Sequence, residues 1–219
     1  MLSMFCTGKE PDILKRLSQK PPVWIRKWFP ELIWAIPNNN NNVYLTFDDG
    51  PDPEVTPGVL DILARFDVRA TFFCLGRNVE KYPEIFDRIQ QEGHIVGNHS
   101  YSHPDGWRTG KIKYVEDIER AAKLIPGTLF RPPYGRIRPI QIKALKEKYQ
   151  IVMWDFMCWD FKKQITKGDY LINIEKFCRT GSIVVFHDTN RAWGRITSEL
   201  ACIIDWFEKK GFQFKKLIC

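Results

Sequence analysis

Two carboxylates, Asp48 and Asp49, stand side by side in Thr46-Phe47-Asp48-Asp49-Gly50-Pro51. They close a β-rich run, and in α/β folds active sites gather at that end of a strand. Taken alone, Asp-Asp-Gly is more often a turn with a helix behind it. Further along, Asn98-His99-Ser100-Tyr101-Ser102-His103 holds two histidines four apart, a spacing that places both imidazoles on one face of a helical turn. Two imidazoles and one carboxylate form a three-ligand set with an open position for water, the pattern of a catalytic zinc. Three of the four histidines, His99, His103 and His187, lie beside expected strand ends with acidic neighbours.

The elements that must position these groups are legible as an alternation. Strands are expected at Val43 to Phe47, Ala70 to Leu75, His94 to Asn98, Thr128 to Arg131, Gln150 to Asp155, Ser182 to His187 and Gln213 to Leu217. Between them, helices are expected from Thr56, as N-cap, to Phe66, then at Pro83 to Glu92, Ile112 to Ile125, Pro139 to Tyr149, Asp169 to Cys178 and Thr197 to Lys210. Such β-then-α order implies parallel strands with right-handed crossovers, in either a barrel or an open doubly wound sheet. Residues 1–42 read as an N-terminal extension ending in an Asn-rich connector, and residues 43–219 as a single domain.

A chain of 219 residues can bury about 70% of its unfolded surface, enough for one sizeable core. Its net charge of +7 contains no polybasic run, and the stretch with the densest candidate chemistry is acidic, so no nucleic-acid partner is expected. No apolar run reaches the roughly 18 residues of a membrane span. Met1 to Cys6 is shorter than a signal-peptide core, which predicts a cytoplasmic location. The six cysteines contain no CxxC pair and read as reduced thiols. No phosphate-binding loop follows the first strand, which counts against the common nucleotide-binding folds.

Four motifs in order carry a specific resemblance. Thr46-Phe47-Asp48-Asp49-Gly50-Pro51, His99-Ser100-Tyr101-Ser102-His103, Arg131-Pro132-Pro133-Tyr134-Gly135 and Phe186-His187-Asp188 are similar to those of the polysaccharide deacetylase family (NodB homology domain, carbohydrate esterase family 4). The resemblance covers Val43 to the C-terminus and implies a distorted (β/α)7-type barrel. It further implies that Asp48 is the general base, that Asp49, His99 and His103 hold a divalent metal, and that Arg131 orients Asp48. By the same resemblance the Tyr134 N–H helps hold the oxyanion, His187 is the general acid, and Val185 lines a pocket for the acetyl methyl. Zn2+ suits that donor set best, with Co2+ or Ni2+ as substitutes.

One motif departs from the family. Where relatives carry Asp-x-x-Asp-Trp, this chain has Met157-Cys158-Trp159-Asp160-Phe161, so Asp160 is the candidate to tune His187 or brace Arg131, and Asp155 reads as structural. Trp107 and Trp193 are candidate sugar platforms, and His94 reads as structural. The resemblance implies a monomeric, metal-dependent hydrolase that removes acetyl groups from N-acetylated amino sugars of a chitin- or peptidoglycan-like glycan. The alternatives are an O-acetyl esterase of the xylan type and a carbohydrate-binding pseudoenzyme. An extracellular polymer would require action outside the cytoplasm, or Met1 to Trp34 as a peripheral membrane contact.

Overall fold

The computed structural model describes residues 20–37, 40–158, 160, 167–190 and 192–218. Met1 to Cys6, Trp159 and Phe161 lie outside them, as does the side chain of Trp193. The described elements are α1 (Val23–Trp28), β1 (Asn42–Asp48), α2 (Thr56–Arg65), β2 (Thr71–Cys74), α3 (Gly76–Lys81), α4 (Pro83–Gln91), β3 (Ile95–Asn98), α5 (Lys111–Ala122) and β4 (Leu129–Phe130). They continue as α6 (Pro139–Leu145), β5 (Gln150–Ile151), β6 (Phe156–Met157), α7 (Lys167–Phe177), β7 (Ile183–His187), α8 (Trp193–Lys209) and β8 (Gln213–Phe214).

The strands are parallel in the order β5-β4-β3-β2-β1-β7-β6, with β8 paired to the start of β1. Curled, they make the distorted barrel. Along β1 the side chains alternate, as the twofold period of a strand requires. Val43, Leu45 and Phe47 join the cluster under α2 and α8, where Phe47 stacks on Phe72 and Phe186 at 4.9 and 5.6 Å. Thr46 and Asp48 face the other way, into the barrel, where Phe130, Ile151, Met153, Met157 and Val185 form a second cluster.

The expected run Gln150 to Asp155 is not one strand. Only its first two residues form β5, and a separate strand, β6, begins just beyond it at Phe156, the two belonging to opposite edges of the sheet order. The N-terminal segment fills the seam between them: Ile33 bridges Val152 in parallel, Ala35 bridges Ser182 in antiparallel fashion, and Leu32 and Trp34 are buried. Below this seam Asp155 is fully buried. It accepts from Ser182 Oγ at 2.5 Å and pairs with Arg26 at 2.6 Å, Arg179 at 3.1 Å and Lys20 at 3.6 Å. The four described cysteines are free thiols, and no described helix is long and apolar enough to cross a membrane.

Candidate active site

The site lies at the C-terminal ends of β1, β3, β4 and β7. Thr46 and Asp48, two apart on β1, share a face, and Arg131 Nη1 donates to both, at 2.7 Å each. The Arg131 side chain is wholly buried. Its Nη2 donates to the Met153 carbonyl at 3.0 Å, its Nε to the Val152 carbonyl at 3.4 Å, and its plane lies 4.1 Å over the Phe73 ring. Burial pushes the guanidinium below its usual value, and Asp48 opposes that shift.

Asp49 does not continue the strand. Its φ of 80° places it in the left-handed region, an uncommon conformation for a residue with a side chain, and the turn swings its carboxylate away from Asp48's surroundings. Gly50 N–H donates to Asp188 Oδ1 at 3.1 Å, and a Cβ at Gly50 would fall 2.0 Å from Asp188 Oδ2, so only glycine fits there. Asp188 also accepts from Thr56 Oγ1 at 2.7 Å. Thr56, expected as an N-cap, is instead the first residue of α2, with its hydroxyl joining the Asp52 N–H to Asp188. The sequence reading gave Asp188 no role. Its place beside His187 in a quoted motif was the available signal.

His99 and His103 are not on a helical turn. Ser100 and His103 both have positive φ, 68° and 65°, and the loop is tied by Asp117, which accepts from the N–H groups of Tyr101 and Ser102. The rings nevertheless converge, with centroids 5.1 Å apart. Asp49 Oδ1 lies 3.1 Å from His103 Nε2 and 3.4 Å from His99 Nε2, and the three residues offer ligand atoms all within 4.8 Å of one another.

Whether this set fits a metal is decided by its hydrogen bonds. His99 Nδ1 donates to the Arg131 carbonyl at 2.7 Å, so in the neutral ring Nε2 carries a lone pair aimed at an anionic oxygen. Asp49 Oδ1 is itself buried without a hydrogen-bond partner. A carboxylate oxygen and imidazole nitrogens that converge in this way suit a cation between them, and the set fits a divalent ion. Burial works against ionisation of Asp49, but with no ion bound the imidazoles of His103 and His99 can instead turn a proton toward it, and these donors, with the charge of His187, outweigh burial and hold its carboxyl well below the usual range.

Across the site, His187 ends β7. Its Nδ1 donates to Asp160 Oδ1 at 2.8 Å and its backbone N–H to Asp160 Oδ2 at 2.6 Å. Burial opposes a charged imidazole, yet Asp160, with Asp49 and Asp48 behind it, pushes its pKa up to about 9. Asp160 therefore serves His187, while carbonyls brace Arg131. Met157 is accounted for as well: it pairs with Val185 in the sheet and is buried in the apolar cluster that Val185 shares. Tyr134, with φ of 59°, sets its ring edge-on to His103 at 4.4 Å. Trp107 is 61% exposed, with the Arg136 guanidinium 5.1 Å from its ring. His94 lies outside the site, its Nδ1 accepting from the Ala70 N–H at 3.1 Å.

A family model described as "Polysaccharide deacetylase" matches residues 35–151. The chain belongs to the polysaccharide deacetylase family. Among its relatives is a peptidoglycan-N-acetylglucosamine deacetylase of Bacillus cereus, 38% identical over 92% of this chain and 75% of the relative. A crystal structure of a peptidoglycan N-acetylglucosamine deacetylase superposes with a TM-score of 0.81 at 34% identity, covering 90% of this chain and 95% of that one. A pseudoenzyme of carbohydrate esterase family 4 from Bacillus anthracis also matches, with a TM-score of 0.75 at 26% identity over 84% of this chain and 66% of its own. Within the polysaccharide deacetylase family the fold therefore does not by itself guarantee activity, and the side chains must decide it.

Proposed function

We propose that this polysaccharide deacetylase hydrolyses the N-acetyl groups of N-acetylglucosamine residues in a peptidoglycan-type glycan. The observation that carries the reading is the placement of two opposed proton-transfer pairs, Asp48 with Arg131 and His187 with Asp160, around the Asp49, His99 and His103 set. A pseudoenzyme reading has to explain why all of these groups are present and connected.

Asp49, His99 and His103 hold the ion, for which we propose Zn2+. When bound, it supplies a Lewis acid for the acetamide carbonyl and makes water a usable nucleophile near neutral pH. Asp48 takes the proton of the attacking water, and Arg131 holds that carboxylate in place. The Tyr134 N–H meets the negative charge that builds on the carbonyl oxygen. Asp160 fixes the proton on Nδ1 of His187, so its Nε2–H is the one delivered to the departing amine nitrogen as the C–N bond breaks. Acetate and a free amino sugar result.

The test is acetate release, with amine formation, from peptidoglycan fragments, chitooligosaccharides and acetylated xylan side by side. Release from the N-acetylated glycans, with one divalent ion per chain by elemental analysis and loss of turnover on chelation, is expected. Release from xylan alone, or undiminished turnover after complete chelation, would sink the reading. For location, the exposed indoles of Trp24 and Trp28 on α1, 53% and 73% accessible, support a peripheral membrane contact. Failure of the parent to sediment with anionic vesicles would rule the contact out, and sedimentation undiminished in Trp24→Ser with Trp28→Ser would rule out these indoles as its basis.

A further inference from the structure

Val152, Met153 and Trp154 link β5 to β6, and the reaction as derived gives them no part. Their backbone groups are nonetheless closely accounted for. The Val152 N–H donates to the Phe130 carbonyl at 2.8 Å, while the carbonyls of Val152 and Met153 accept from Nε and Nη2 of Arg131. On the other side, the Ile33 N–H donates to the Ile151 carbonyl at 2.9 Å and the Met153 N–H to the Ile33 carbonyl at 2.7 Å. Trp154 then turns its ring under the Arg-Pro-Pro-Tyr-Gly segment. A Cβ on Gly135 would fall 2.3 Å from Trp154 Cη2 and 2.8 Å from Cζ3. Tyr134, at φ 59°, is a residue with a side chain in the left-handed region, next to Gly135 at φ 63°, so the turn carries strain at Tyr134 that needs support.

Three consecutive residues thus touch two separate working parts: the guanidinium that aims Asp48, and the turn that carries the Tyr134 N–H. We propose that Val152–Trp154 is one positioning strap for both, and that the N-terminal segment, through Ile33, is what holds the strap. On this view Trp154 and Ile33 are positioning residues of the hydrolysis, and the segment before β1 belongs to the catalytic apparatus. The inference rests on the deacetylation proposed above, and it extends that reading to residues outside its motifs.

The experiment is a cycle on the N-acetylated glycan with kcat, KM and metal content measured for each protein. Acetate release by the parent comes first, since its failure would strike the reaction itself and not the strap. Gly135→Ala should lower kcat roughly 10²-fold, the scale of a misplacement of about 1 Å at a reacting centre. Trp154→Leu should lower kcat roughly tenfold with KM and metal content kept. The double variant should be no worse than Gly135→Ala alone, because the new methyl enters the space the indole left. Additive losses would mean that the ring does not act through Gly135 and would overturn the proposal, as would Trp154→Leu at parental kcat. Should Trp154→Leu fail to fold, Trp154→Phe carries the test. Its smaller ring should cost several-fold in kcat alone, and parental kcat would overturn the strap. Ile33→Pro removes the N–H given to Ile151 and should reproduce the kcat-selective loss in protein that still binds metal. Full kcat in that variant would detach the N-terminal segment from catalysis.

Discussion

Asp49 and Asp155 are carboxylates at opposite ends of one parallel sheet, the first partly exposed after β1 and the second fully buried before β6. Asp155 is surrounded by donors: a hydroxyl, two guanidinium groups and an ammonium meet its two oxygens. Asp49 faces the Nε2 atoms of two imidazoles, one of which is tied back through its Nδ1 to a carbonyl, and its buried Oδ1 lacks a hydrogen-bond partner. The difference separates a carboxylate whose charge is spent inside the fold from one whose charge is held ready for something the fold does not contain. Their difference in burial does not by itself assign the roles. The partners do.

Substitution should break this comparison most sharply at the site end. Asp49→Asn removes the only charged ligand of three, so metal content should fall from one per chain toward zero and turnover by more than roughly 10³-fold. The thermal midpoint of the chelated protein should barely move. Asp48→Asn should keep the metal and lower turnover roughly 10²- to 10⁴-fold, as loss of a general base does. If Asp48→Asn loses the metal while Asp49→Asn keeps it, the two roles are exchanged.

At the other end the pattern should invert. Asp155→Asn strands Arg26, Arg179 and Lys20 around a neutral amide, and unfolding free energy from urea titration should fall by about 3 kcal/mol, within the range for a broken buried pair. Turnover of the folded fraction should stay within about threefold of the parent, because the Ile33 backbone pairs remain. Collapse of kcat with stability intact would make Asp155 a member of the site.

The sequence carried more of the site than of its scaffold. Asp48, His99, Arg131 and His187 were legible because each sits at or just after a strand end in a run of fixed composition, where alternation sets the direction of the side chain. Asp49 and His103 were legible as types but not as geometry. Both lie at positive φ, so strand and helix periods fail at those residues, and the helical spacing of the two histidines was coincidental. The early end of β5 and the separate start of β6 at Phe156 were hidden because Ile151 to Trp154 are all buried and a continuous apolar run has no period to interrupt. The pairing of Ile33 and Ala35 with distant strands was hidden for another reason. Proline-broken segments show no pattern of their own, and their order comes from the edges they meet.

The smallest expected effects separate the two ends by pH. Burial works against ionisation of Asp155, but Ser182, Lys20 and Arg26 outweigh it and hold its carboxyl below the usual value. As pH falls the unfolded chain takes up this proton first. The stability Asp155 contributes is thus present above the ordinary carboxylate value of about 3.9 and lost as pH falls through the lower native one. His187 runs the other way. Its native pKa of about 9 lies above the ordinary 6.5, so its contribution is complete below 6.5 and lost as pH rises through about 9. Thermal midpoints of chelated protein across a pH series, each variant compared with the parent, should show Asp155→Asn flattening the acid limb alone and His187→Gln the alkaline limb alone. An alkaline limb that survives His187→Gln would mean that Asp160 does not hold the imidazole charged, and the case for His187 as the proton donor would lose its electrostatic basis.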